Sequence, residues 1–162
     1  VMNAVLGGSM SSRLFQEIRE RRGLAYAVHS YLTPYTDVGM LGIYAGTSEA
    51  NVREVVGVIL DELMRLTRDP LSDRELQSAQ ELIKGNFLLS MESTDNRMTR
   101  LAKNEIIFSK DIPAEEVMAG IDGVSAEEIR ALAGEIFNPS VIGLAAIGRI
   151  SEQELALSVL NG

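Results

Sequence analysis

Apolar residues recur along this chain first at helical spacing, then in alternation, then at helical spacing again. Residues 1–6 read as the last turns of a helix, broken at Gly7-Gly8. The helical pattern resumes over 9–22, with Leu14, Ile18 and Arg22 on one face and Phe15 beside them. Gly23 stands where a helix closes through a left-handed residue. Residues 24–32 alternate as a strand, with Tyr26, Val28, Ser30 and Leu32 on one face and Ala25, Ala27, His29 and Tyr31 on the other. A turn at 34–37 leads to a second strand, 38–46, and the short connection predicts an antiparallel hairpin. Gly39, Gly42 and Gly46 within that strand predict a close backbone approach or a bulge.

Helical spacing then dominates. Residues 48–67 carry a stripe of Val52, Val55, Val56, Ile59, Leu63 and Leu66, ended by Asp69-Pro70. Ser72 and Glu75 have capping-box spacing and open a helix to about residue 92. Ser93 or Thr94 caps the next, to about residue 109, with Met98, Leu101, Ala102 and Ile106 expected inward. Pro113 suits the first position of a short helix to 121, and Ser125 with Glu128 predicts a capped helix to 137. Residues 140–147 are apolar and β-rich and read as a buried strand, and Ser151 with Glu154 opens a last helix to 160. The expected architecture is α+β, a single domain over 1–162, with an antiparallel or mixed sheet and helices packed on one face. Three strands would leave open edges, and Val1 is an unusual start. Together they predict a domain truncated at its N-terminus, with a neighbouring strand outside this sequence.

Composition narrows the chemistry. The net charge is −8, with no basic stripe, which argues against nucleic acid. The local cluster Arg13, Arg19, Arg21 and Arg22 includes candidates for a solvated helix face. No cysteine is present, which excludes disulfides, thiolate zinc sites and cysteine catalysis but does not decide the compartment. No apolar run approaches the ~20 residues of a membrane span. His29 is the single histidine and no H-x-x-E-H or H-E-x-x-H occurs, so no metal site is expected in this chain. Ser9, Ser11 and Ser12 precede a helix without a nucleophile elbow and read as caps. Gly7-Gly8 could cradle a small anion, but no phosphate-loop lysine follows. Arg19 near the end of its helix and Tyr26 just inside the strand could point into one cleft. An arginine fork and a phenol are suitable donors to a developing oxyanion. Both also have ordinary structural readings, a balanced helix C-terminus and a core ring with its hydroxyl at the rim.

The run Leu6-Gly7-Gly8-Ser9-Met10-Ser11-Ser12-Arg13-Leu14-Phe15, followed by Arg19 and by Gly23-Leu24-Ala25-Tyr26-Ala27-Val28, resembles the second half of the pitrilysin, insulin-degrading enzyme and mitochondrial processing peptidase family. Ser9 stands where a third glycine is common in that family. The stretch 81–108, with Ser90, Glu92, Ser93, Arg97 and Met98, and the segment 141–147 are also similar. The resemblance implies the C-terminal, non-zinc half of a clamshell inverzincin metallopeptidase. It implies that Arg19 and Tyr26 bind the scissile carbonyl and stabilise the tetrahedral intermediate. Zinc would be bound by the N-terminal half or a partner subunit, through H-x-x-E-H and a downstream glutamate, where a zinc-bound water attacks with the motif glutamate as base. Substrates would be unfolded peptides taken up as an added β-strand. The fragment alone would then be inactive, and the compartment stays open between bacterial cytoplasm and cell envelope. Two other readings stand beside it: a non-catalytic pairing or scaffold subunit of the same fold, and an acidic module binding an anion at Gly7-Gly8.

Overall fold

The computed structural model describes residues 1–138 and 140–150. A short helix α1 (Met2–Leu6) turns through the serines 9–12 into one helical turn and then a π-helix, Phe15–Arg21. The hairpin follows as β1 (Ala25–Pro34) and β2 (Gly39–Thr47), paired antiparallel. A 3-10 turn (Glu49–Asn51) leads into α2 (Val52–Arg68), α3 (Asp73–Ser90), α4 (Thr94–Phe108), α5 (Ala114–Asp122) and α6 (Ala126–Ile136). The class is α+β, as the sequence pattern requires.

The core lies between the helices and one face of the hairpin. Leu6, Leu14, Ile18, Val55 and Leu66 are fully buried, together with Ala25 and Val28 from β1. Leu41, Ile43 and Ala45 from β2 pack on the same cluster, which also takes in Ile129 and Ala133 of α6 and Phe137 just after it. Each fully buried aliphatic side chain contributes roughly 1.5–3 kcal/mol of transfer free energy. Ser30 points into this core, and its hydroxyl donates to Asn3 Oδ1 at 2.7 Å while its amide donates to the Gly7 carbonyl at 3.1 Å. A Cβ on Gly7 would sit 2.5 Å from the Ser30 nitrogen, so only glycine lets α1 approach β1 this closely. The opposite hairpin face carries His29, Tyr31 and Tyr44, and the Tyr31 ring occupies the place where a Gly42 Cβ would stand. The close approach at Gly42 is thus by a side-chain ring and not by backbone, and nothing lies within 4 Å of a Cβ on Gly39, so the expectation for these glycines holds only in part.

Several local signals form as expected. Gly23 has φ 61°, its amide donates to Arg19 O, and the Leu24 amide reaches back to Ile18 O at 2.8 Å. No atom lies within 4 Å of the missing Cβ, so the requirement there is conformational and not steric. Gly23→Val is expected to destabilise the fold by more than about 1 kcal/mol, and an unchanged thermal midpoint would refute this helix end. Ser125 and Glu128 make both halves of the capping box. The Glu128 carboxyl, fully exposed, is held below its usual range by the Ser125 amide and hydroxyl. The cap therefore contributes above the ordinary carboxylate range and is lost as pH falls through the depressed value. Ser72 accepts from the Glu75 amide, but the reciprocal half is missing because Arg13 has taken the Glu75 carboxylate.

Three expectations need correction. The helix expected over 9–22 is an irregular serine turn followed by mostly π-helix. On α4, Met98, Leu101, Ala102 and Ile106 are exposed, Ile106 at 81%, because no other described element covers that side of the helix. Residues 140–147 form no strand, and Val141, Leu144 and Ile147 are exposed. A strand needs a ladder partner, and among the described residues the sheet has two strands, β1 and β2, paired with each other. The helix expected over 151–160 lies outside the described residues.

Candidate functional site

The sequence put Tyr26 on the same strand face as Val28 and Ser30. Backbone register moves it. Ala25 pairs with Thr47 and Ala27 with Gly46, so β1 has one extra residue at Tyr26. Such a bulge bends the strand and re-aims a side chain. Ala25 thereby stays in the core beside Val28 and Ser30, while Tyr26 is turned out to 86% exposure. The entry to the bulge is pinned at the Leu24 carbonyl, which accepts from the Thr47 hydroxyl and from Asn51 Nδ2 at 3.2 Å.

Arg19 comes from the other side of the turn. Its guanidinium carbon lies 5.5 Å from the Tyr26 ring centroid and 5.0 Å from that of Phe15. The remaining basic residues of the segment have different work. Arg21 donates to Glu17, and Arg22 lies 3.9 Å from Glu17 and 3.7 Å from Glu54. Both are exposed, which agrees with a solvated helix face. Among the described carboxylates Arg19 approaches Glu20, at 4.0 Å, and its side chain is half-exposed beside the phenol. The structure therefore brings Arg19 and Tyr26 together, as a charged donor and a neutral one on one exposed corner.

One element of the site's support was not read from the sequence. Glu62 lies on the inward stripe of α2 between Val58 and Leu66 and is buried. Arg65 donates to it at 2.7 Å, and Arg13 Nη1 stands 3.9 Å from its other oxygen. Arg13 also forks onto Glu75 with bonds of 2.6 and 2.9 Å, tying the start of the π-helix to α3. The hydrogen bond to Glu75 holds the Arg13 guanidinium above its ordinary range, outweighing burial. A raised cation stabilises the fold throughout the pH range below its unfolded value and loses that only in strongly alkaline solution, so Arg13 adds no pH dependence near neutrality. A lone Glu inside an apolar stripe, with an arginine outside any helix cap, was the available signal.

The other candidates resolve simply. The Gly7 and Gly8 amides both donate to Asn3 O, so neither is free for an anion and that reading falls. The Ser12 hydroxyl donates to Ser9 O, and Ser9 and Ser11 pair with each other. His29 sits between Tyr31 and Tyr44, with ring centroids 6.1 and 5.2 Å away. Among the described residues no cluster of three or more His, Asp or Glu could hold a metal, so the side chains present do not fit a zinc site. Among them, too, no helix is long and apolar enough to cross a membrane.

The described residues thus form a helix-backed antiparallel hairpin with Arg19 and Tyr26 side by side on an exposed corner. The profile described as "Peptidase M16 inactive domain" matches residues 1–83, and the chain belongs to that family. An uncharacterized zinc protease of Bacillus subtilis is 43% identical over 137 residues, 85% of this chain and 34% of the relative. A crystal structure of a peptidase M16 inactive domain from Pseudomonas fluorescens shares the fold, with TM-score 0.73 at 24% identity, over 82% of this chain and 32% of that one. A chain of complex III2 from Candida albicans shares it too, with TM-score 0.72 at 17% identity, over 83% of this chain and 34% of that one. The chain spans about a third of the length of the curated relatives it matches.

Proposed function

We propose that this chain is the substrate-carbonyl-binding part of a zinc-dependent endopeptidase acting on unfolded peptides. The observation that supports it most is the convergence of Arg19 and Tyr26 on one exposed corner, through a helix end on one side and a β-bulge on the other. Donors aimed at a carbonyl oxygen stabilise the charge that develops there when the carbon becomes tetrahedral. Arg19 would supply a fixed cation with two or more N–H groups, and Tyr26 a neutral O–H. The metal belongs to a different half or subunit in this reading, and no role in holding it falls to residues of this chain. A pairing or scaffold role without catalysis is the second reading, favoured by the same fold in a complex III2 chain. Arg19→Lys in the full-length protein separates the two. The catalytic reading expects kcat to fall about tenfold or more, because an ammonium cannot reproduce the fork. Full activity in that variant would overturn Arg19's assigned role.

A further inference from the structure

We infer that Phe15 is the positioning residue for Arg19, acting through the face of its ring. This rests on the proposed role of Arg19 for its kinetic part only. The guanidinium lies closer to the Phe15 centroid, 5.0 Å, than to that of Tyr26, 5.5 Å, and is within cation–π reach of both rings. Arginine carries much rotamer freedom, and an exposed one is scattered unless something selects a conformer. Its approach to Glu20 at 4.0 Å is too long to do so, since the 4.0 Å separation is not a hydrogen bond. A cation over an aromatic face is attracted by the ring quadrupole without using any N–H, so the donors stay free for an oxygen.

The backbone fits this purpose. Phe15 opens the π-helix and Arg19 lies four residues on. A π-turn within a helix shifts the side chains that follow it, and such turns concentrate at functional sites. Leu14 and Ile18, the neighbours N-terminal to each, are fully buried and fix the helix rotation. The Arg13 fork on Glu75 anchors the residue two before Phe15. Phe15 itself is half-buried, with its ring in reach of the guanidinium. Tyr26 is then both a donor and the second wall of the slot.

The test uses the full-length protein with two readouts. The first is the Arg19 Nε–H resonance, assigned by its loss in Arg19→Lys, which stacking between rings should displace from the position of a free arginine. Phe15→Met keeps the apolar volume and removes the ring; it should shift that resonance toward the free position and lower kcat roughly tenfold, with KM within about twofold. Phe15→Tyr restores the ring and should restore both. If Phe15→Met does not fold, Phe15→Tyr and Tyr26→Leu still decide. The resonance must then stay displaced in the first and move only partway in the second. An Arg19 resonance at the free position in the unmutated protein, or one unmoved by Phe15→Met, overturns the inference. If no peptide is cleaved by the unmutated protein, the proposed function fails while the resonance still decides the positioning role.

Discussion

Tyr26→Phe is expected to lower kcat for peptide cleavage by the full-length protein, at a cost of roughly 2–4 kcal/mol in transition-state stabilisation, with almost no change in folding. The substitution removes one hydroxyl and keeps the ring that flanks Arg19. Tyr26 is 86% exposed, so no core packing is touched and no buried polar partner is orphaned. A donor used only when charge develops should affect kcat and kcat/KM alike and leave KM nearly constant. Unchanged kcat would show that Tyr26 is a wall for Arg19 and nothing more. A fall in thermal midpoint of many degrees would show instead that the bulge depends on the hydroxyl.

The second large effect concerns stability. Arg13→Ala is expected to cost about 3 kcal/mol, read as a lower denaturant midpoint at constant slope. Glu62 is buried on the inward face of α2; its Oε2 accepts no hydrogen bond and is balanced by the Arg13 guanidinium charge, with Nη1 3.9 Å away. Removing the cation leaves that carboxylate facing apolar surroundings with Arg65 alone. The same change frees Glu75 and releases the turn ahead of the π-helix from α3. Adding Glu62→Leu to Arg13→Ala should recover part of the loss, because the buried charge then disappears together with its partner. A loss below about 1 kcal/mol would mean that water reaches Glu62 and replaces the guanidinium.

Local signals carried most of the fold. The Gly23 closure, the hairpin, and the caps at Ser72, Ser93 and Ser125 depend on residues a few positions apart, and each forms. Apart from the π-helical turn over Phe15–Arg21, what failed depends on distant partners. Met98, Leu101 and Ile106 mark an apolar side of α4, and spacing alone cannot say what covers it. Residues 140–147 have strand composition, yet a strand exists only where another chain segment completes its ladder. Within the site, the separation of Arg19 and Tyr26 across a tight turn was legible. The bulge that turns Tyr26 outward was not, because strict alternation puts it with Val28 and Ser30. The burial of Glu62 was not legible either, because its charge is balanced by Arg13, about fifty residues away in sequence.

The most direct test mixes this chain with a zinc-binding half and follows cleavage of an unfolded peptide, with and without zinc. Cleavage only in the mixture with zinc, and lost in Arg19→Ala or Tyr26→Phe, is the expected result. Two halves that associate without cleaving, or cleavage that ignores both substitutions, would contradict a catalytic role for this corner and leave the pairing subunit as the reading.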